Sequence, residues 1–476
     1  MKMRNIPQAA LPLLLMLMAL VISACGGAAT PAAPAAGTTA APAAAAATAA
    51  PAAAAATAAP AAAAATAAPA AAAATAAPAA PAPEGAVTVT FWSRDSDQAL
   101  IEPVIAAYNS SHPTQIKATF IPAAQFVQKF AAATAGGDAP DLIAVDLIFM
   151  PSFIAAQQMT DITDVAKALP FFDKLNKAQM REGTADGKVY SVPFSADGSV
   201  LVYNKNLFKK AGLDPEKPPT NLEEMMAYSK KITALGDGNY GFYFSGNCPG
   251  CNAFTLMPYI WASGGDILSE DGKTATVTDP NVKTVLTWYH QMWLAKQIPE
   301  SAKVDTGSDF FNVFASGKIG MVGSGAFAIA ALKKDHPDLD FGIVALPGVK
   351  SGQQASFAGG DVIGIPTGSK HVKEATDFIT WYLSEDVQLE HVAKLNGLPV
   401  REDLVDNQYS KKDPRYITVG NAMYKFGKTP FSVHYNEIWN DANGPWLAML
   451  QKAIFDGDID GAINDGQTQI TQILAQ

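Results

Sequence analysis

Three short stretches carry the side chains best suited to chemistry. Trp92, Arg94 and Asp95 end the run VTVTFWSRD, and Asp146 and Phe149 follow DLIAV. Asp197 lies in the bend Ser195-Ala196-Asp197-Gly198, between Val192-Pro193-Phe194 and Val200-Leu201-Val202-Tyr203. Further along, Asn247, Trp261, Phe327, Phe357 and Asp361 stand at the ends of apolar runs. Such residues stack on apolar ligand faces and exchange hydrogen bonds with ligand hydroxyls, carboxylates and amides accepting and Arg94 donating. Each also has a plain structural use. Trp92 and Trp261 fit a hydrophobic core, Asp95 and Asp146 fit helix N-caps, and Arg94 can pair with either aspartate. The bend leaves few structural jobs for Asp197. No Gly-rich nucleotide loop, HExxH or Gly-x-Ser-x-Gly is present.

The elements that position these residues follow from periodicity. VTVTFW, QIKATFI and DLIAVD read as strands, separated by DQALIEPVIAAYNSS and QFVQKFAAATAGG, which read as helices. The first helix places Leu100, Ile101, Val104, Ile105 and Tyr108 on one face. A β-α-β-α-β order predicts a mostly parallel sheet covered on both sides. Ligands of such sheets meet the carboxyl ends of strands, here Trp92 to Asp95 and Asp146 to Phe149. Pro193 keeps Val192 extended, so 190–205 reads as strand, bend, strand, and a bend of small residues can act as a hinge. Later, Thr220 and Glu223 have capping-box spacing. GFYFSGNCPGCN reads as a strand running into a loop, and Asp279-Pro280 opens the helix of DPNVKTVLTWYHQMW. Gly397 is expected to close the helix of SEDVQLEHVAKLNG.

Lys2 and Arg4 precede an apolar run, Leu11 to Ala24, too short to span a bilayer and suited to a signal peptide. Small residues before Cys25 resemble a bacterial lipoprotein cleavage site, so residues 1–24 are expected to be removed and Cys25 lipidated. Residues 25–85 are almost wholly Ala, Pro and Thr, with a proline every nine residues from Pro42 to Pro78. Regular prolines break helices and nothing there can form a core, so a disordered tether is expected. Residues 84–476 hold all 44 acidic residues and all but two of the 34 basic ones. An acidic balance argues against nucleic acid or an anionic membrane surface as partner. Cys248 and Cys251 have redox or metal spacing. A lone pair supplies only two zinc ligands, none of the six histidines clusters with it, and in an exported protein a local disulfide is the simplest outcome.

Several motifs in a fixed order carry a resemblance. They include FW at 91–92, GGDAPDLIAVD at 136–146, VPFSADGSVLVYNKNLFKKAGLD at 192–214 and PPTNLEEM at 218–225. WASGGDILSEDGK at 261–273, ASGKIGMVGSGAFAI at 315–329, FAGGDVIGIPTGS at 357–369 and GLPVRED at 397–403 follow. Over about 86–476 the chain resembles the extracellular solute-binding proteins of ATP-binding-cassette importers, in the carbohydrate-binding branch that includes maltose-binding protein. The resemblance implies an α/β, two-lobed periplasmic-binding-protein fold with a hinge. Lobe 1 would hold 86–194 and 355–405, and lobe 2 would hold 195–350 and 406–476. It implies a mono- or oligosaccharide in the inter-lobe cleft, a membrane permease as partner, a monomer, no catalysis, and no cofactor or metal. Trp92, Arg94, Asp95, Asp146, Asp197, Asn247, Trp261, Phe327 and Asp361 would face the cleft, and Gly359-Gly360 would let backbone approach the ligand. Phe327 would be a stacking aromatic, commonly Trp in the family. Either Trp439 or Trp446 would cover the sugar, and the Cys248–Cys251 disulfide would stiffen one wall. The implied site is extracytoplasmic, tethered to the cell membrane through Cys25. A glycoside-processing enzyme would need two carboxyls of opposed protonation at fixed spacing. The same fold binding a phosphorylated polyol would need more fixed cations than Arg94.

Overall fold

A computed structural model describes residues 86–476 apart from Asp309. The expected leader, Cys25 and the Ala/Pro/Thr tether lie outside the described residues. Strands β1 (Thr88–Arg94), β2 (Gln115–Ile121) and β3 (Leu142–Asp146) alternate with helices Gln98–Ser111 and Ala123–Gly136. A hairpin of β4 (Thr184–Ala185) and β5 (Lys188–Val189) leads to β6 (Ser191–Pro193), β7 (Asp197–Gly198) and β8 (Val200–Asn204). Then come β9 (Tyr240–Tyr243), β10 (Ile319–Ser324), β11 (Phe341–Val344) and β12 (Leu346–Pro347). β13 (Gln354–Gly359), β14 (Asp361–Gly364) and β15 (Gly427–Lys428) complete the set.

Two sheets organise the molecule. One has the order β2-β1-β3-β14-β6 and the other β11-β8-β10-β9. A third has the order β12-β13-β15, with β7 beside β13. The sheets are mixed, which amends the expectation of mostly parallel strands. β1 is parallel to β2 and β3, and β9 to β10, because helices cover those crossovers. β14 is antiparallel to β3 and β6, and β8 to β10 and β11. Strands that enter a sheet straight from a crossing have no helix to turn them round, so they run against their neighbours.

Helix faces obey the apolar spacing. Ile101, Val104, Ile105 and Tyr108 are buried on Gln98–Ser111, each such side chain contributing about 1.5–3 kcal/mol. Asp279 Oδ1 accepts from Asn281 N at 2.7 Å and starts the helix Pro280–Leu294, which buries Val282, Val285, Leu286 and Tyr289. Other boundaries move. Asn221, not Thr220, is the cap of Leu222–Thr233, accepting from Glu224 N at 2.8 Å, while Thr220 donates to the Glu224 carboxylate. The expected loop at 247–252 is largely helix, since Pro249 suits a first helical turn and Pro249–Thr255 coils from Cys248. Asn396, at φ +68°, takes the left-handed cap position expected of Gly397.

The bend at 195–198 is a strand crossing. Asp197 pairs with Gly359 and Gly198 with Ala358, antiparallel. Ser195 N donates to Asp361 O at 3.2 Å, and Asp361 N donates to Ser195 O at 3.2 Å. Gly360 sits at φ +106°, where an added Cβ would lie 2.2 Å from Ser195 O. Outgoing and returning chain are thus laced together by backbone, and only glycine fits where they touch.

Candidate ligand-binding cavity

A cavity of about 1080 Å³ opens where the crossing strands meet the carboxyl ends of β1 and β3. β1 runs out into the turn Asp95–Asp97, and β3 into the turn Leu147–Phe149. These deliver Arg94, Asp97, Asp146 and Phe149 to the wall, and the crossing adds Asp197 and Gly360. Phe254, Phe327 and Tyr435 add aromatic rings to the lining, together with Asn436 and Asn440. Helix Ala123–Gly136 supplies a smooth apolar flank of Ala124, Val127 and Ala131.

Arg94 is the hub of the polar wall. Its Nε donates to Asp361 Oδ2 at 3.0 Å and its Nη1 to Asp146 Oδ2 at 3.2 Å, and its Nη2 donates to Asp361 Oδ1. Burial opposes the guanidinium charge, but the two carboxylates outweigh it and hold Arg94 protonated above its ordinary range. Asp361 is fully buried beneath Arg94. Burial, with the negative charge of Asp361 next, pushes Asp97 up to about 9 against the pull of Arg94. Burial likewise lifts Asp146 to about 6, while Arg94 and the Ile148 N–H pull it down. Asp197 rises to about 7 through burial, opposed by the N–H groups of Ala326 and Gly198. More negative charge converges here than one arginine can balance.

The structure sorts the sequence candidates. Arg94, Asp146, Phe149, Asp197, Phe327, Phe357, Gly359 and Gly360 line the cavity. Asp361 stands behind it, held by Arg94. Asp146 also caps its turn, accepting from Ile148 N at 3.3 Å. Asp197 has a structural task the bend did not suggest: its Oδ1 accepts from Ala326 N at 2.7 Å, at the head of helix Phe327–Asp335. Phe327 is 50 % exposed. The other candidates stand off the wall. Asp95 is exposed on the outer side of its turn, where the wall takes Asp97 instead. Trp92 is half-buried against the core. Trp261 is buried in helix Met257–Ala262, with Nε1 donating to Asp266 Oδ1 at 2.9 Å. Asn247 is exposed, its N donating to Asp305 O at 2.9 Å. Trp439 and Trp446 are both fully buried. The aromatic that the tail gives to the wall is Tyr435, with the Trp439 ring packed on it at 5.0 Å between centroids.

Asp97, Phe254, Tyr435, Asn436 and Asn440 escaped sequence reasoning. The signal for Asp97 was its place at the end of a short turn, which aims its side chain back over the strand end. Cys248 and Cys251 are disulfide-bonded at the head of Pro249–Thr255. Gly307 closes over the pair, since a Cβ there would lie 2.6 Å from Cys251 Sγ and 2.8 Å from Cys248 Sγ. Gly250, between the cysteines, is part of the cavity wall. Among the described residues no group of His, Cys, Asp and Glu is arranged to hold a metal, and no helix is long and apolar enough to cross a membrane.

Comparison with known proteins agrees with this geometry. The model of the bacterial extracellular solute-binding protein family matches residues 91–389. The maltooligosaccharide ABC transporter solute-binding lipoprotein of Streptococcus pneumoniae is 23% identical over 401 residues, covering 82% of this chain and 89% of its own. The diacetylchitobiose binding protein of Streptomyces coelicolor is 26% identical over 326 residues, 66% and 73% of the two chains. In structure, the cyclic α-maltosyl-1,6-maltose binding protein of Arthrobacter globiformis superposes with a TM-score of 0.71 at 24% identity, covering 82% of this chain and 99% of that one. The sugar-binding protein of Xanthomonas citri gives 0.73 at 19% identity, with 82% and 98% covered. These are binding proteins rather than enzymes, and since the family model covers more than half of its length, this chain belongs to the bacterial extracellular solute-binding proteins.

Proposed function

We propose that the protein is the lipid-anchored, extracytoplasmic receptor of an ABC importer, binding a mono- or oligosaccharide in the cavity beside Asp197. The observation that carries this reading is the pairing of an aromatic wall, Phe254, Phe327 and Tyr435, with a wall of hydrogen-bonding groups, Asp97, Asp146 and Asn440. Pyranose rings present apolar C–H faces to the first and hydroxyls to the second. The printed names of the relatives, for maltooligosaccharide and diacetylchitobiose, support the same class. A phosphorylated polyol fits less well, because the charge of Arg94 is already matched by Asp146 and Asp361.

On this reading lobe 1 comprises 86–194 and 355–405, lobe 2 comprises 195–350 and 406–476, and the laced strands at 195–198 and 358–361 are the hinge. Sugar contacts both lobes only when they close, so binding favours the closed form by its differential affinity. The closed monomer then docks on a membrane permease, while Cys25 and the tether keep it near the membrane. Calorimetry of the full-length protein against a carbohydrate panel tests the proposal. A micromolar dissociation constant, about −8 kcal/mol, with the sugar recovered unchanged, is expected. Failure of every mono- and oligosaccharide to bind overturns it.

A further inference from the structure

The charge of the cavity carries the reading one step further, and this step rests on the sugar-receptor proposal above. Three carboxylates reach the wall, Asp97, Asp146 and Asp197, against one cation, Arg94. Three of the five N–H donors of that cation are already aimed at Asp361 and Asp146. A second observation is independent of the count. Asp97 Oδ2 is buried and has no hydrogen-bond partner among the described residues, and the negative charge of Asp361 bears on its carboxyl. Burial and the negative charges of Asp361 and Asp146 oppose ionisation of Asp97. The same cavity holds the rings of Phe254, Phe327 and Tyr435, whose negative π-faces also attract cations.

We propose that the preferred ligand is a sugar bearing a protonated amine, an amino sugar rather than a neutral or N-acylated one, with the ammonium seated against Asp97 and Asp146. The step balances simply: the ammonium enters and the proton held by Asp97 leaves to the buffer. The groups facing Asp97 are Arg94, Asp361 and Asp146, with Tyr382 nearby on helix Val372–Tyr382. Asp361 and Asp146 disfavour a further negative charge, and the Tyr382 hydroxyl is engaged by the Phe194 carbonyl, so the Asp97 proton stays until a cation replaces it. An anionic cavity also raises the local concentration of a cationic ligand, an effect that salt screens.

The test is calorimetry of the full-length protein at pH 7.5 with three probes. They are a free-amine glucosamine oligosaccharide, its N-acetylated counterpart of equal length, and a short aliphatic diamine. In wild type the free-amine sugar is expected to bind at least about tenfold tighter than the acetylated one. It should release about one proton per ligand, read from the dependence of the binding heat on buffer ionisation enthalpy. In Asp97→Asn, shown folded by its thermal transition, the advantage and the proton release should both disappear. Equal or tighter binding of the acetylated sugar without proton release overturns the amine assignment and leaves the sugar receptor standing. Binding of the diamine but of neither sugar keeps the cation site and overturns the sugar reading. Failure of all three probes overturns both.

Discussion

Replacing Arg94 with methionine gives the most searching test of the polar wall. The guanidinium makes three donor contacts to two carboxylates, one of them the fully buried Asp361. Methionine fills much of the same volume but leaves Asp361 and Asp146 without a counter-charge. Removing one partner of a buried ion pair costs about 3–5 kcal/mol, because the survivor keeps its desolvation penalty. The abandoned carboxyls escape part of that by binding protons, so the loss should be largest near pH 8 and shrink toward pH 5. Arg94→Met combined with Asp361→Leu removes charge and counter-charge together, and should recover most of the loss, since an apolar pair often replaces a buried ion pair at little net change. Urea unfolding of the full-length protein, followed by the fluorescence of its seven tryptophans, measures each variant. A loss below about 1 kcal/mol at pH 8 for the single variant would refute the argument. So would a double variant no more stable than the single one.

Asp97→Asn should stabilise the unliganded protein. The folded carboxyl titrates at about 9, above its ordinary 3.8, so its contribution is fully present below pH 4 and is lost as pH rises toward 9. Urea midpoints compared across that window should show the variant's advantage growing with pH, by more than about 1.4 kcal/mol at pH 8; a constant difference is the contrary result. Gly360→Ala should cost at least about 1–3 kcal/mol in thermal unfolding, because the new Cβ meets the Ser195 carbonyl at φ +106°. Wild-type stability would show that the crossing yields freely. Phe327→Ala should weaken sugar binding by about 0.5–1.5 kcal/mol in calorimetry with little change in unfolding, as the ring is half exposed. Cys248→Ser with Cys251→Ser should lower stability by only about 2 kcal/mol, the value expected for so short a loop.

The alternation of strand and helix, the crossing at 192–200 and the polar residues Arg94, Asp146 and Asp361 were legible because they depend on local periodicity and on strand ends. The errors lie where a turn decides the direction of a side chain. Asp95 and Asp97 share one helical turn, and only its rotation sends the second to the cavity and the first to solvent. In the tail the larger rings drew attention, yet Trp439 and Trp446 serve the core and Tyr435 serves the wall. The capping task of Asp197 depends on Ala326, remote in sequence, and no local pattern announces it. The mixed strand directions follow from the crossings themselves, which periodicity does not encode.

The position of β14 has a consequence for how the chain is made. It lies in the middle of the first sheet, between β3 and β6, yet it is synthesised long after both. Until Asp361–Gly364 arrives, β3 and β6 each present a bare edge, a template for pairing with other chains. A nascent fragment ending short of it therefore cannot finish its amino-terminal half. An exported chain of this topology gains from crossing the membrane unfolded and from assembling its halves only when nearly all of its length is available.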